Sequence, residues 1–214
     1  MSVVIIGAGG HAREVLDILR ARGDDADGFI VEFGFGNSGT AIHNLPILGG
    51  LEWLDRRLDV TAVCAVGAPE LRRRLVNEAS RYGTTFSNAI HPSLNLTPWV
   101  EMGVGVVIAG GSTLTNEIVL GDHVHINVGC TVSHDSNLGD FATLSPGVHL
   151  AGGVTLEEGA FLGVGAVVLP RVTVGAWSVV GAGAVVTHDV APAATVVGVP
   201  ARVMKTREVG WHLE

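Results

Sequence analysis

Between Tyr82 and Pro170 this chain has no lysine or arginine, and across all 214 residues it has a single lysine, Lys205. Seven acidic side chains stand in that same stretch, and the whole chain carries a formal charge of −8. A phosphate backbone needs a basic stripe to neutralise it, so nucleic-acid binding is excluded. Aromatic residues are scarce at 5%, and charged residues make up only 16%. A core must then come from Val, Ile, Leu and Ala. With 47% hydrophobic residues, disorder is excluded. Two cysteines, Cys64 and Cys130, both inside apolar runs, are too few for a disulfide scaffold and read as reduced core thiols. The mean hydropathy of +0.43 invites a membrane reading. Yet the most apolar stretch, Phe161 to Val186, is interrupted by Pro170, Arg171 and frequent glycines, which is poor material for a spanning helix. No basic-then-apolar leader opens the chain. The expectation is a cytoplasmic protein without membrane insertion.

Glycine is what the chain has in excess, 30 residues of 214. Its arrangement divides the sequence in two. Residues 1–86 alternate short apolar runs with helical patterns. Val3–Ile6 reads as a strand ending in Gly7-Ala8-Gly9-Gly10-His11, and a helix follows over residues 12–22 with Val15, Leu16, Ile18 and Leu19 inward. Gly28–Val31 reads as a second strand and residues 32–44 as a glycine-rich loop. Then come a short helix at 51–58, a buried strand at 61–66 and a helix at 69–82 whose Arg72-Arg73-Arg74 run reads as a solvated face. Such alternation implies a small Rossmann-like parallel sheet with helices packed on it.

From Ile90 an aliphatic residue recurs at every sixth position without a gap, through Leu96, Met102, Ile108 and onward to Val186. Four residues after each stands a small or aliphatic partner, such as Val106, Val124, Cys130 and Ala142. Neither the helical nor the strand period generates six, whereas hexapeptide repeats build a parallel β-helix. Three hexads complete one triangular coil, giving between five and six coils over residues 90–191, with a C-terminal strand and tail over 192–214. Stacked coils bury one another, which supplies a core without aromatic bulk.

Nine histidines are available for proton transfer. His134, with Asp135 beside it, falls at a turn of its coil where side chains can point outward. The pair reads either as a general base with an acidic neighbour or as a polar corner bonded to the next coil. His188-Asp189 lies 54 residues on, three coils further along the same edge. At about 4.8 Å per coil the two pairs stand roughly 14 Å apart. His123 and His125 flank Val124 and read as packing or exposed residues. No two histidines are five residues apart, the spacing found in zinc carbonic anhydrases built on similar repeats, so no metal is expected. The opening Gly7-x-Gly9-x-x-Ala12, with Glu32 twenty residues beyond Ala12, fits a dinucleotide fingerprint and so raises an NAD reading. Against it, about 86 residues are too few for both halves of a dinucleotide fold. Amides at a helix N-terminus would equally hold the diphosphate of a nucleotide sugar.

The hexads, the Gly-Ala-Gly-Gly-His opening and the stretch from Ile126 through Asn127 and His134 to Asp135 together resemble a known family. It comprises two-domain left-handed β-helix acetyltransferases of nucleotide-linked amino sugars, with sialic acid O-acetyltransferases as relatives. The resemblance runs from residue 2 to about 204 and includes Val197 to Val203, which looks like the family's closing strand. It implies acetyl-CoA as co-substrate, a homotrimer with active sites between subunits, and His134 and Asp135 as the catalytic pair. It implies coenzyme contacts from Thr143, Thr155, Ala176, Arg171 and Lys205, and substrate contacts from Gly9, Gly10, His11, Glu32, Gly50 and Asn127. Two positions depart from the family pattern. Thr143 stands where a second histidine is usual, and Val31-Glu32 where aspartates are common. The expected function is N-acetylation of a nucleotide-linked 4-amino-4,6-dideoxysugar for glycan or polysaccharide precursors. O-acetylation of a sialic-acid-type sugar, and a non-catalytic nucleotide-sugar or NAD-binding scaffold, remain as alternatives.

Overall fold

The computed structural model describes residues 2–31, 41–208 and 210–213. The chain divides into two compact units, Met1–Pro92 and Ser93–Glu214.

The first unit is built on a sheet of six strands: β1 (Ser2–Ile6), β2 (Gly28–Ile30), β3 (Ala41–Ile42), β4 (Leu45–Gly49), β5 (Val60–Cys64) and β6 (Thr85–Phe86). Their order is β3-β4-β2-β1-β5-β6, parallel except for the β3–β4 hairpin. Val4, Ile5 and Ile6 of the central strand are buried, as are all five residues of β5. These short, largely apolar runs are what a parallel sheet covered on both faces requires. Helix α1 (Gly10–Ala21) buries Ala12, Val15, Leu16, Ile18 and Leu19, the expected inner face. Helix α2 (Pro69–Ser80) starts on a proline whose missing N–H costs nothing at that position. The expected helix at 51–58 is a single 3-10 turn, Leu51–Leu54.

Arg72 does not belong to a solvated face. It is fully buried on α2 together with Leu75, Val76 and Ala79, while Arg74 points to solvent. Positions i, i+3, i+4 and i+7 share one side of a helix, so Arg72 falls on the inner stripe whatever its charge.

The second unit is a left-handed parallel β-helix with an 18-residue coil. Thr113↔Thr131, Thr131↔His149 and His149↔Val167 set the register of one face, and Val119↔Asn137, Asn137↔Thr155 and Thr155↔Thr173 that of the second. The third runs His125↔Thr143, Thr143↔Phe161 and Phe161↔Val179. The hexad aliphatics from Ile108 to Val186 fill the interior, nearly all below 5% exposure. Full burial of each such side chain stabilises by about 1.5–3 kcal/mol. Their partners four residues on, Val124, Cys130, Ser136 and Ala142 among them, are buried as well. The first repeats are looser, with Leu96 and Met102 only half-buried.

The third face ends in an antiparallel pair, Ala194–Val197 with Arg202–Thr206. The stretch from Val197 to Val203 therefore holds the end of one strand, a turn at residues 198–201 and the start of the next, rather than one closing strand. Gly198, in the left-handed region, and Pro200, which has no N–H to give to a ladder, explain the break.

Candidate functional site

His134 and Asp135 occupy the corner between the first and second faces. Each side chain is about two-thirds exposed, and Nδ1 of His134 lies 2.7 Å from Oδ2 of Asp135. A carboxylate only accepts, so Nδ1 carries the hydrogen and Nε2 presents a lone pair to solvent. Asp135 sits in the left-handed backbone region (φ 59°), a conformation an aspartate tolerates and one that turns its carboxylate back toward its neighbour.

The next coil places Gly152 and Gly153 on the same corner. The amide of Gly153 donates to the carbonyl of His134 at 2.8 Å, which ties the two coils together. Gly152 leaves room for the ring, since a Cβ there would lie 2.8 Å from Nε2. Among the described residues the N–H of Gly152 has no protein acceptor. One coil beyond stands Arg171, with its Cγ 3.3 Å from where a Cβ on Gly153 would be, so its stem packs against Gly153 on this corner.

His188 occupies the same corner as expected but with different partners. Its Nδ1 faces the hydroxyl of Thr187 at 2.9 Å, and Asp189 accepts from the backbone N–H of Thr173 at 2.8 Å. Among the described residues no carboxylate orients this imidazole. His123 and His125 are buried at 4% and 0% exposure, and the His123 ring stacks on Phe141 at 5.2 Å.

Thr155 lies half-buried on the second face, the one that follows His134 along the chain. The other residues assigned to the coenzyme stand elsewhere on the unit. Thr143 is on the third face, 2% exposed, with its hydroxyl donating to Phe141 O at 3.4 Å. Ala176 is at the corner between the second and third faces, where its N–H donates to Glu157 at 2.8 Å. Lys205 is exposed on the last strand. Asn127 is at the corner between the third and first faces, with Nδ2 donating to Leu144 O at 2.9 Å. Within one chain, therefore, only Thr155 and Arg171 share the neighbourhood of the His134–Asp135 pair.

A groove of about 300 Å³ on the first face borders this corner and is lined by Thr113, Thr131, Ser133 and His149 among others. Thr131 Oγ1 and His149 Nδ1 are 2.9 Å apart. Sequence reasoning passed over His149, although its place 18 residues after Thr131 would have revealed the pairing.

The first unit has its own cavity, about 650 Å³, walled by the Gly7–His11 loop, the end of β2, and Ala65, Val66 and Gly67 after β5. Gly9 is the N-cap of α1, and the first intrahelical donor is the Arg13 N–H, to Gly9 O at 3.3 Å. The amides before it stand at the positive end of the helix, beside the cavity. His11 lines the wall and faces Glu14 at 3.1 Å. Burial lowers its pKa from the usual value, against the pull of Glu14 and with a further push from Arg72. Leu51 rather than Gly50 lines the cavity; the Gly50 N–H donates to Glu52 at 3.1 Å. Glu32 lies outside the described residues. Among the described residues no three His, Cys, Asp or Glu side chains form a metal-holding group, and no helix is long and apolar enough to cross a membrane.

Residues 2–79 match the PglD N-terminal domain family, and residues 153–188 match the bacterial transferase hexapeptide family. None of the curated proteins compared with the chain matches it. Among solved structures, PerB from Caulobacter crescentus, determined with CoA and GDP-perosamine, is 39% identical with a TM-score of 0.88, covering 96% of this chain and 98% of that one. The acetyltransferase domain of PglB from Neisseria gonorrhoeae, in complex with acetyl coenzyme A, is 30% identical at a TM-score of 0.86, covering 95% and 98%. WeeI from Acinetobacter baumannii is 29% identical at 0.85, covering 95% and 100%.

Proposed function

The chain belongs to the family of two-domain, hexapeptide-repeat nucleotide-sugar acetyltransferases, and on that footing we propose that it N-acetylates a nucleotide-linked 4-amino-4,6-dideoxysugar from acetyl-CoA with His134 as general base. The observation that carries this reading is the 2.7 Å His134–Asp135 pair, exposed at a corner of the β-helix.

The amine attacks the thioester carbonyl while His134 Nε2 takes its proton. The carbonyl oxygen becomes an oxyanion, and the acceptor-free N–H of Gly152, the residue packed against the ring, is the backbone donor we assign to it. Collapse breaks the C–S bond, and the imidazolium returns its proton to the departing thiolate. The products are an amide and free coenzyme A, with His134 neutral again. Asp135 fixes the tautomer and stabilises the transient imidazolium.

The nucleotide diphosphate docks at the Gly9–Gly10–His11 loop, where the amides of a helix N-terminus suit an anion. Arg171 and Lys205 supply charge for the coenzyme phosphates in a chain otherwise poor in cations. Residues on separate faces of one β-helix, such as Thr143, Ala176 and Asn127, take part only if neighbouring subunits complete the site, so the active form is a homotrimer.

The test is thiol release from acetyl-CoA with UDP-, GDP- and dTDP-linked 4-amino sugars and with free and CMP-linked sialic acid. Wild type, His134→Ala and His188→Ala are compared. Turnover of one amino sugar that falls at least a thousandfold in His134→Ala and stays within twofold in His188→Ala supports the reading. Turnover of the sialic acids alone makes the protein an O-acetyltransferase, and full activity of His134→Ala removes its base.

A further inference from the structure

We propose that Arg72 is the cation of the nucleotide cavity: a guanidinium buried behind its wall that holds Val66 and Gly67 in place and supplies the positive charge that a diphosphate there requires. This rests on the reading of that cavity as the nucleotide site.

The cavity poses an electrostatic problem. Its walls are aliphatic side chains and glycine backbone, with His11 the one titratable lining side chain among the described residues. Residues 32–40 add no lysine or arginine. A helix N-terminus offers about half an elementary charge, while a diphosphate brings two or more negative charges into largely apolar surroundings, where leaving them unmatched is costly. A cation close behind the wall meets that need, because charges interact strongly across a medium of low dielectric constant.

Arg72 has the required position. Its side chain is fully buried, and Nη1 donates to the carbonyls of Val66 at 2.8 Å and Gly67 at 3.2 Å. Both residues line the cavity. Val66 in turn abuts the glycine loop, with Cγ2 only 3.2 Å from where a Cβ on Gly7 would sit. One side chain thus anchors the Val66–Gly67 part of the cavity wall. Its field reaches the loop as well, for it helps to hold the His11 imidazole neutral. Burial costs the guanidinium itself, bringing its pKa down to about 10, so it remains charged at neutral pH.

The experiment is titration calorimetry of wild type, Arg72→Met and Arg72→Lys with UDP, GDP and dTDP, then with the nucleoside of whichever binds. Circular dichroism and thermal melting establish folding. Arg72→Met should weaken the nucleoside diphosphate by at least tenfold and the nucleoside by less than threefold. In the same variant the NMR titration of His11 should move toward the ordinary histidine value without ligand. Equal losses for diphosphate and nucleoside, or an unmoved His11, overturn the charge role and leave a structural wall. If Arg72→Met does not fold, Arg72→Lys decides: the retained charge should keep diphosphate affinity within threefold of wild type, and a tenfold loss shared equally by the nucleoside overturns the charge role. A wild type that binds none of the three diphosphates brings down the reading of the cavity itself. One that binds, with Arg72→Met binding as tightly, brings down only Arg72.

Discussion

The imidazole of His134 lies over Gly152 of the following coil, so that a methyl group on Gly152 would come 2.6 Å from Cε1 and 2.8 Å from Nε2. Stacking fixes this relationship, since 18 residues return the chain to the same corner. Gly152→Ala should push the ring from its seat and disturb the amide beneath it. Because His134 is largely exposed, the ring can swing into solvent at little cost to folding. The expected result is a loss of at least tenfold in kcat/KM, about 1.4 kcal/mol of transition-state stabilisation. The KM for acetyl-CoA should stay within threefold and the melting temperature within a few degrees. Wild-type turnover in folded Gly152→Ala would mean that the ring works from another position.

The β-helix was legible because its period is a consequence of geometry. Each hexad must send one side chain inward, and Ile108, Leu114, Leu120, Ile126, Val132 and Leu138 do so, all below 5% exposure. The corner position of His134 followed from the same count. What the count does not carry is the partner of a polar group. His188-Asp189 and His134-Asp135 share a dipeptide and a corner, yet one carboxylate holds an imidazole and the other a backbone amide. In the first unit the charge of Arg72 obscured its place on the helix stripe with Leu75, Val76 and Ala79. The hairpin of Ala41–Ile42 with Leu45–Gly49 was hidden because its turn residues, His43 and Asn44, end a glycine-rich stretch that read as loop.

Val128 and Val164 project from one corner, 36 residues or two coils apart, at 50% and 56% exposure. An apolar corner of this kind is what a trimer of β-helices would cover. Sedimentation equilibrium at micromolar concentration should return about three times the 22.1 kDa chain mass. On the proposal that each site takes residues from two chains, the double variant Val128→Glu, Val164→Glu should sediment as monomer and lose turnover. A monomeric wild type with full activity would show that one chain holds the whole site.

Both cysteines are buried and unpaired in any disulfide. Burial pushes the thiol of Cys64 up to about 12 and raises that of Cys130 as well. The reactive thiolate is therefore scarce at pH 8, and reagent access requires opening of the core. Reaction with an aromatic disulfide reagent should titrate fewer than about 0.2 thiols per chain over an hour in the native protein, and two in guanidinium chloride. Rapid native labelling of Cys130 would show that the coils open locally around it.

Burial is the chief reason that His11 resists protonation, with Arg72 acting in the same sense and Glu14 against it. A histidine whose pKa is lower in the folded than in the unfolded chain stabilises the fold fully above its ordinary value of 6.5. That contribution is lost as pH falls below 6.5, because the unfolded chain then takes up the proton more readily. Thermal melting of the wild type from pH 7.5 to 5.5 should therefore show a falling midpoint, and His11→Gln should flatten part of the decline. Saturation with a nucleoside diphosphate should reduce the same slope, since an anion beside the Gly9–His11 loop favours the imidazolium and opposes its desolvation. If His11→Gln melts with the wild-type pH dependence, the proton uptake belongs to another group and the loop histidine is not the one that sets acid stability.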